Sequence, residues 1–514
     1  MSRAILLLFP FLLGFAAEAA QPQADARLES LLADHWKARA VTPAPVCDDA
    51  TFLRRVWLDL AGCVPPSDKA VAFLADSRQD KRARLVEELL ASADFADHWG
   101  RSWAIRLTHS RPVRQGTFDN RVLAEYLRDR LAARRPYREI VAELLTGEGL
   151  QDASGPANFL LKYDAKPERL VGAVGKLFMG TTLHCAECHD HVFAHWKRDD
   201  FRGLAAFFAR VRAVSTENDE DGKRGILEAN KGEFRIPDLT AKPDESGNRP
   251  MKNIMPRFPG RRAAGAPAPA GRAGNRRRAL ADWLTADDNP YFARSAVNQA
   301  WEHFFGVPLV RSLDNLNALK NEPFAPLLDE LAAGFRAGGG DLRRLARAIV
   351  MSRAYQLSSG GATADAGVAQ KQQRAFTRFP VRPLAVDPLY RSAARATGHT
   401  GEPAEKPAEE DPTADLAVSL LTEHPLTLQR ALTLLNGDYV RDAAKAAAER
   451  LVKQHGERVG EKHVEALFLA ALARQPTKAE TRTILDLVQE SGGTAGLEDA
   501  VWVLLNSAEF NTNH

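Results

Sequence analysis

Apolar residues recur with the period of an α-helix along most of this chain, and one stretch is bounded at both ends. After Pro136, the residues Tyr137, Ile140, Val141, Leu144 and Leu145 fall at i, i+3, i+4, i+7 and i+8, and Gly147 follows. That spacing gathers five apolar side chains on one helix face. Proline stands at the entry, where a missing N–H costs nothing, and glycine stands past the exit. Such a face must be buried against other elements, so the chain is committed to helix packing. The same reading gives a helix from Pro66 to Leu74 with Ser67 as N-cap, one over Lys81–Ala91, and one marked by Val122, Leu123, Tyr126 and Leu127. A further helix starts at Pro167, carries Leu170, Val171, Val174, Leu177 and Phe178, and stops at Gly180. Asp199 or Asp200 caps the next, which carries Phe201, Leu204, Phe207 and Phe208.

The pattern breaks between Val211 and Asn275. Gly225–Leu227 and Glu233–Ile236 read as short strands, and Arg261–Arg278 reads as a linker rich in Ala, Gly, Pro and Arg. Arg276, Arg277 and Arg278 suit either a phosphate or a solvated helix start, and the solvated start is the expectation. Helical periodicity resumes over Ala279–Leu284, Ser295–Phe305, Leu342–Arg353, Leu426–Leu435, Val464–Ala473 and Leu497–Leu505, with loops at 359–374 and 398–414. A chain of 514 residues exceeds the roughly 250–300 that one core holds. The expected fold is mainly α: a helical domain at 28–212, an irregular connection at 213–275 with a few short strands, and a second helical domain at 276–512.

Residues 1–20 have the form of a secretory signal peptide. Arg3 precedes an apolar run from Ala4 to Ala17, and the small residues of Ala17-Glu18-Ala19 suit cleavage after Ala19 or Ala20. The run is shorter than the roughly 20 apolar residues of a spanning helix, and no later segment is long and apolar enough to span. The expected location is periplasmic or secreted. With 69 basic and 66 acidic residues the net charge is +3, too weak a field to argue for nucleic acid.

Export alters the reading of the four cysteines, because thiols outside the cytoplasm tend to be oxidised or ligated. Cys47 and Cys63 could close a disulfide worth about 3 kcal/mol in loop entropy, or remain two buried thiols. Cys185 and Cys188 belong to a denser segment, Cys185-Ala186-Glu187-Cys188-His189-Asp190-His191, in a loop between two helices. Two thiols three residues apart match the two vinyl groups of haem, and the next histidine then reaches the iron. Haem c held by Cys185 and Cys188, with His189 as the proximal iron ligand, is the leading expectation. A Cys185–Cys188 disulfide, a zinc site using His189 or His191, and a polar knot with no ligand remain alternatives. His195, Met179 and Met255 are the main candidates for the distal ligand, with His184 and Met251 behind them.

Several strings together resemble a known family. Phe52-Leu53-Arg54-Arg55-Val56-Trp57-Leu58-Asp59-Leu60-Ala61-Gly62, Gly155-Pro156-Ala157-Asn158-Phe159, the cysteine segment, and Gly203-Leu204-Ala205-Ala206-Phe207-Phe208 are similar to the planctomycete-type secreted cytochrome-associated domain. Arg278–Leu284, Asn289-Pro290-Tyr291-Phe292-Ala293-Arg294, Asn298 with Trp301 and His303–Gly306, Ser352–Ser358 and Leu505–Phe510 resemble its usual C-terminal partner domain of unknown function. The resemblance implies a cytochrome-like protein without a defined reaction. His195 departs from the family pattern, which expects Asp or Lys there and so brings an added ligand into play. Cys63 also departs, and favours a bridge to Cys47.

The functional expectation is an exported cytochrome-like protein that transfers electrons to a redox protein partner. Alternatives are an exported scaffold that binds an extracellular protein through a disulfide- or metal-stapled motif, and an extracellular enzyme linked to polysaccharide. The enzyme reading has Glu187 and Asp190 for acid–base work but no Gly-x-Ser-x-Gly, His-Glu-x-x-His or phosphate loop. No nucleic acid and no stable membrane span are expected.

Overall fold

The computed structural model describes residues 26–110, 114–115, 118–192, 194–215, 223–238, 240–259, 275–360, 366–401 and 437–514. The expected signal peptide, most of the Arg261–Arg278 linker, the Leu426–Leu435 helix and most of the 398–414 loop lie outside these residues. The fold is mainly α with a few short strands. Helices appear where periodicity and end signals agreed. Lys81–Ala91 has the expected bounds, and Tyr137–Thr146 buries all five of its stripe residues. Ser67 is the first helical residue of Ser67–Ala75 rather than its cap, and Pro66 takes the N-cap position without a side-chain bond. Within 359–374, expected to be loop, residues Ala366–Arg374 are helical. Ala, Lys, Gln and Arg favour helix even without an apolar stripe, which is why periodicity missed it.

The chain forms two compact units: Met1–His35 with Gly100–His303 and Val307–Ala346, and Trp36–Trp99 with Phe304–Gly306 and Arg347–His514. Neither is a continuous stretch of sequence.

In the first unit, the helices Asn120–Ala132, Tyr137–Thr146, Gly155–Lys162 and Asn275–Leu284 pack on one another. A small antiparallel sheet runs in the order Gly149–Leu150, Arg224–Glu228, Val211–Ser215, and Phe234–Pro237 pairs with Met251–Ile254. Both expected strands are therefore present. Arg276 and Arg277 are buried, Arg276 on Glu233 at 2.8 Å and Arg277 on Glu228 at 2.6 Å. Arg278 alone of the three is exposed, and it pairs with Asp282 one turn on. The cluster is structural, as burial without partners would be prohibitive for a guanidinium.

The second unit is built on a core of Leu58, Val64, Leu389, Ala444, Leu467, Phe468 and Val501 with their neighbours. Its helix Asp49–Ala61 begins at Asp48, whose side chain accepts from the Thr51 N–H, and ends at Gly62. This helix removes the expected Cys47–Cys63 disulfide, because the two cysteines flank its opposite ends. Thirteen residues at about 1.5 Å each put those ends about 20 Å apart, against the roughly 4.4–6.8 Å between Cα atoms that a disulfide needs. Both thiols are buried and neither is in a disulfide. Among the described residues no helix is long and apolar enough to cross a membrane.

Candidate functional site

The cysteine segment lies in the first unit, and the helix before it ends unusually. Helix Pro167–Val174 passes into a π turn, Gly175–Met179, and stops at Gly180 in the left-handed region at φ +64°. Single π turns inside helices recur at functional sites. Here the wider turn presents the Leu177 carbonyl to the hydroxyl of Ser295, at 3.3 Å, and to the amide of Gln299. Gly180 is needed twice: its backbone is one that Cβ-bearing residues resist, and a Cβ there would stand 2.9 Å from Leu313 Cδ1. The Gly180 carbonyl accepts from the Leu313 N–H at 3.0 Å, and Thr182 donates its N–H and hydroxyl to Asp314. The chain thus enters the motif anchored by residues more than a hundred positions later.

A 3₁₀ turn, Leu183–Ala186, carries the first cysteine. Residues three apart eclipse in such a turn. Leu183 and Ala186 are fully buried, with Leu183 packed where Gly175 lacks a side chain. The intervening positions face outward. Cys185 and Cys188, again three apart, are both exposed and unbonded. His184 is exposed and lies 3.3 Å from a Glu187 carboxylate oxygen.

His189 is exposed, and its Nδ1 lies 2.8 Å from the Asp190 carbonyl oxygen. A carbonyl only accepts, so Nδ1 carries the proton and the neutral ring keeps its lone pair on Nε2. This is the arrangement that prepares a histidine to ligate a metal, the second nitrogen being tied to a carbonyl. Asp190 does more than supply that carbonyl. Its carboxylate accepts from the Arg198 N–H at 2.9 Å, at the start of helix Arg198–Ala205, and pairs with Lys197 at 3.2 Å. The Arg198 N–H and the Lys197 ammonium hold its carboxyl below the usual range. The helix is capped by Asp200, as expected in part, but from inside its first turn. Asp200 accepts from the Lys197 N–H at 2.9 Å.

The far side of the loop is pinned by Trp196, which is fully buried, and by the His191 N–H donating to the Trp196 carbonyl at 2.9 Å. The Trp196 ring lies 5.4 Å from that of Tyr291 and 4.6 Å from that of His195, and the Tyr291 hydroxyl stands 3.1 Å from His195 Nε2. Asn289 sets Tyr291 in place, since its Oδ1 accepts from the N–H groups of Tyr291 and Phe292. Periodicity carries no sign of these supports. Tyr291 stood within a family-like string, but nothing local to it points at residue 195.

Of the distal candidates, Met179 is fully buried in the π turn, Met255 is 60% exposed, and His195 is engaged with Tyr291. The trio Cys185, Cys188 and His189 is brought to one exposed turn. Among the described residues no three His, Cys, Asp or Glu side chains converge to hold a metal ion by themselves. Among the described residues the buried Trp196 Nε1–H has no acceptor, which ordinarily costs about 1–3 kcal/mol.

Two family models match in order: PSCyt2, a protein of unknown function (DUF1549), over residues 27–213, and PSD1, a protein of unknown function (DUF1553), over residues 276–424. The chain belongs to the PSCyt2–PSD1 proteins. No curated protein and no solved structure matches it. In this PSCyt2–PSD1 chain the cysteine loop falls in the PSCyt2 region. The residues that support it (Tyr291, Ser295, Gln299, Leu313 and Asp314) fall in the PSD1 region. One site therefore draws on both regions.

Proposed function

We propose that this PSCyt2–PSD1 chain is exported and holds one haem c at Cys185, Cys188 and His189, serving in electron transfer. The observation that carries the reading is the turn itself: two exposed, unbonded thiols three residues apart, followed by a histidine whose Nδ1 is committed to a carbonyl. Cys185 and Cys188 would hold the group through thioethers, each formed by adding S–H across one vinyl group with no by-product. His189 would hold the iron through Nε2, since Nδ1 is tied to the Asp190 carbonyl. The bound group supplies one-electron exchange. Asp190 keeps His189 oriented, and Leu183, Ala186 and Trp196 hold the turn to the unit. Residues 1–20 have the form that would direct the chain to the compartment where such attachment occurs.

The test is expression with export in a host that matures c-type cytochromes, followed by a pyridine haemochrome spectrum and intact mass. One covalent haem, lost as a thioether-linked group in the Cys185→Ser, Cys188→Ser double variant, is the expected result. A folded, colourless chain refutes the reading. A mass two hydrogens short instead marks a Cys185–Cys188 disulfide and a stapled scaffold.

A further inference from the structure

The His195 imidazole stands in the motif loop itself. A histidine so placed is an obvious second ligand for a metal group bound at residues 185–189. The structure shows that its Nε2 is already engaged. Nε2 lies 3.1 Å from the Tyr291 hydroxyl. Tyr291 is 6% exposed, so its hydroxyl has little solvent to bond instead. A phenol can donate to or accept from an imidazole nitrogen, and in either sense the contact holds Nε2.

The hydroxyl is not free to follow a moving histidine. The Tyr291 backbone N–H is tied to Asn289 Oδ1 at 3.0 Å at the entry to helix Phe292–Phe305. Its ring packs against the buried Trp196, whose backbone carbonyl closes the loop on the His191 N–H. Trp196 also lies against the His195 ring. His195 is thus clamped between its own neighbour and a tyrosine supplied by the PSD1 region.

We propose that Tyr291 is a positioning residue that holds His195 Nε2 and keeps that imidazole off the iron of the group bound at Cys185, Cys188 and His189. This rests on the haem reading above. Its consequence is that a residue of the PSD1 region decides the ligand set of a motif in the PSCyt2 region.

The experiment uses the full haem-loaded chain as wild type, His195→Ala, Tyr291→Phe and the Tyr291→Phe, His195→Ala double variant. Electron paramagnetic resonance and optical spectra read the axial ligands, and carbon monoxide is the probe for the ferrous form. Wild type and His195→Ala are expected to share one ligand signature. Tyr291→Phe, which keeps the ring packing, should convert to a low-spin bis-imidazole signature. Its carbon monoxide association should fall about tenfold or more, because the freed imidazole competes at high effective concentration. The double variant should return to wild type, an outcome that a merely structural role for Tyr291 would not produce. A bis-imidazole wild type that loses this signature in His195→Ala overturns the inference, as does a Tyr291→Phe spectrum identical to wild type. A folded chain with no haem overturns the haem reading and this inference together, and so is told apart from the other failures.

Discussion

Asp59 shows how one side chain can organise a unit from inside. Its carboxylate accepts from the Tyr355 hydroxyl at 2.7 Å, Arg382 at 2.8 Å and Asn513 at 2.9 Å. Burial pushes this carboxyl up, and Arg382 and Tyr355 pull it back. A buried ion pair adds little net stability over a well-packed apolar group, but removing one partner leaves the other stranded. Asp59→Ala should therefore cost about 3–5 kcal/mol in urea unfolding, and a loss below about 1 kcal/mol would show that water replaces the carboxylate. The cysteines divide as sharply by environment. Burial raises the Cys47 thiol and carries Cys63 to about 11, whereas Cys185 and Cys188 are exposed. In the reduced, haem-free chain iodoacetamide should label Cys185 and Cys188 under native conditions and all four after unfolding. Native labelling of Cys63, read by peptide mass, would contradict its burial.

At the scale of elements, the ends of helices carry the site and the clamps. Gly180 ends the π turn before the motif, so Gly180→Ala combines the left-handed penalty of about 1–2 kcal/mol with displacement of Leu313. The expected outcome is a lower Tm, and under the proposed haem reading reduced haem loading as well. Unchanged loading would show that the turn tolerates the shift. In the second unit Arg474 bonds Glu480 at 2.7 and 2.9 Å and Glu509 at 2.7 Å through two nitrogens. It ties the start of helix Lys478–Ser491 to the short helix Ala508–Asn511. Hydrogen bonding from Arg474 holds the Glu480 carboxyl down at about 2, against an ordinary 4.5. A depressed carboxyl contributes stability above its unfolded value and loses it as pH falls through the folded value. Wild type should thus lose stability between about pH 4.5 and 2, and Arg474→Ala should flatten that part of the profile. Parallel urea-midpoint profiles for the two proteins would remove the clamp's role.

At the scale of the molecule, the order of the chain and the order of packing differ. The PSCyt2 region supplies residues to both compact units, and so does the PSD1 region. Helix Asp49–Ala61 makes the dependence concrete. Arg54 is 2% exposed and donates to the carbonyls of Ala471, Glu509 and Phe510. Arg55 is fully buried and donates to those of Leu357 and His514. A fragment of residues 27–275 keeps both guanidinium groups and none of these acceptors, leaving charges that cannot be buried unpaired. It should lack a cooperative transition and near-ultraviolet dichroism, and should bind a hydrophobic dye. Cooperative unfolding of that fragment would show that the PSCyt2 region folds by itself.

What the sequence determined by itself was local. The stripe after Pro136, the stop at Gly147, the helix ended by Gly180 and the exposed Cys-x-x-Cys-His loop after it were legible, because helix period, proline and glycine act within a few residues. The error over Cys47 and Cys63 was also local. Asp48 and Gly62 are a cap and a stop, and the helix they enclose already separates the thiols. Only the tertiary structure decided which segments share a core, and which distant side chains support the loop. Tyr291 meets His195 across 96 positions, Asp314 meets Thr182 across 132 and Tyr355 meets Asp59 across 296. Such pairings follow from the shape and burial of packed surfaces, and no pattern read along a few turns of one chain records which surface another will meet.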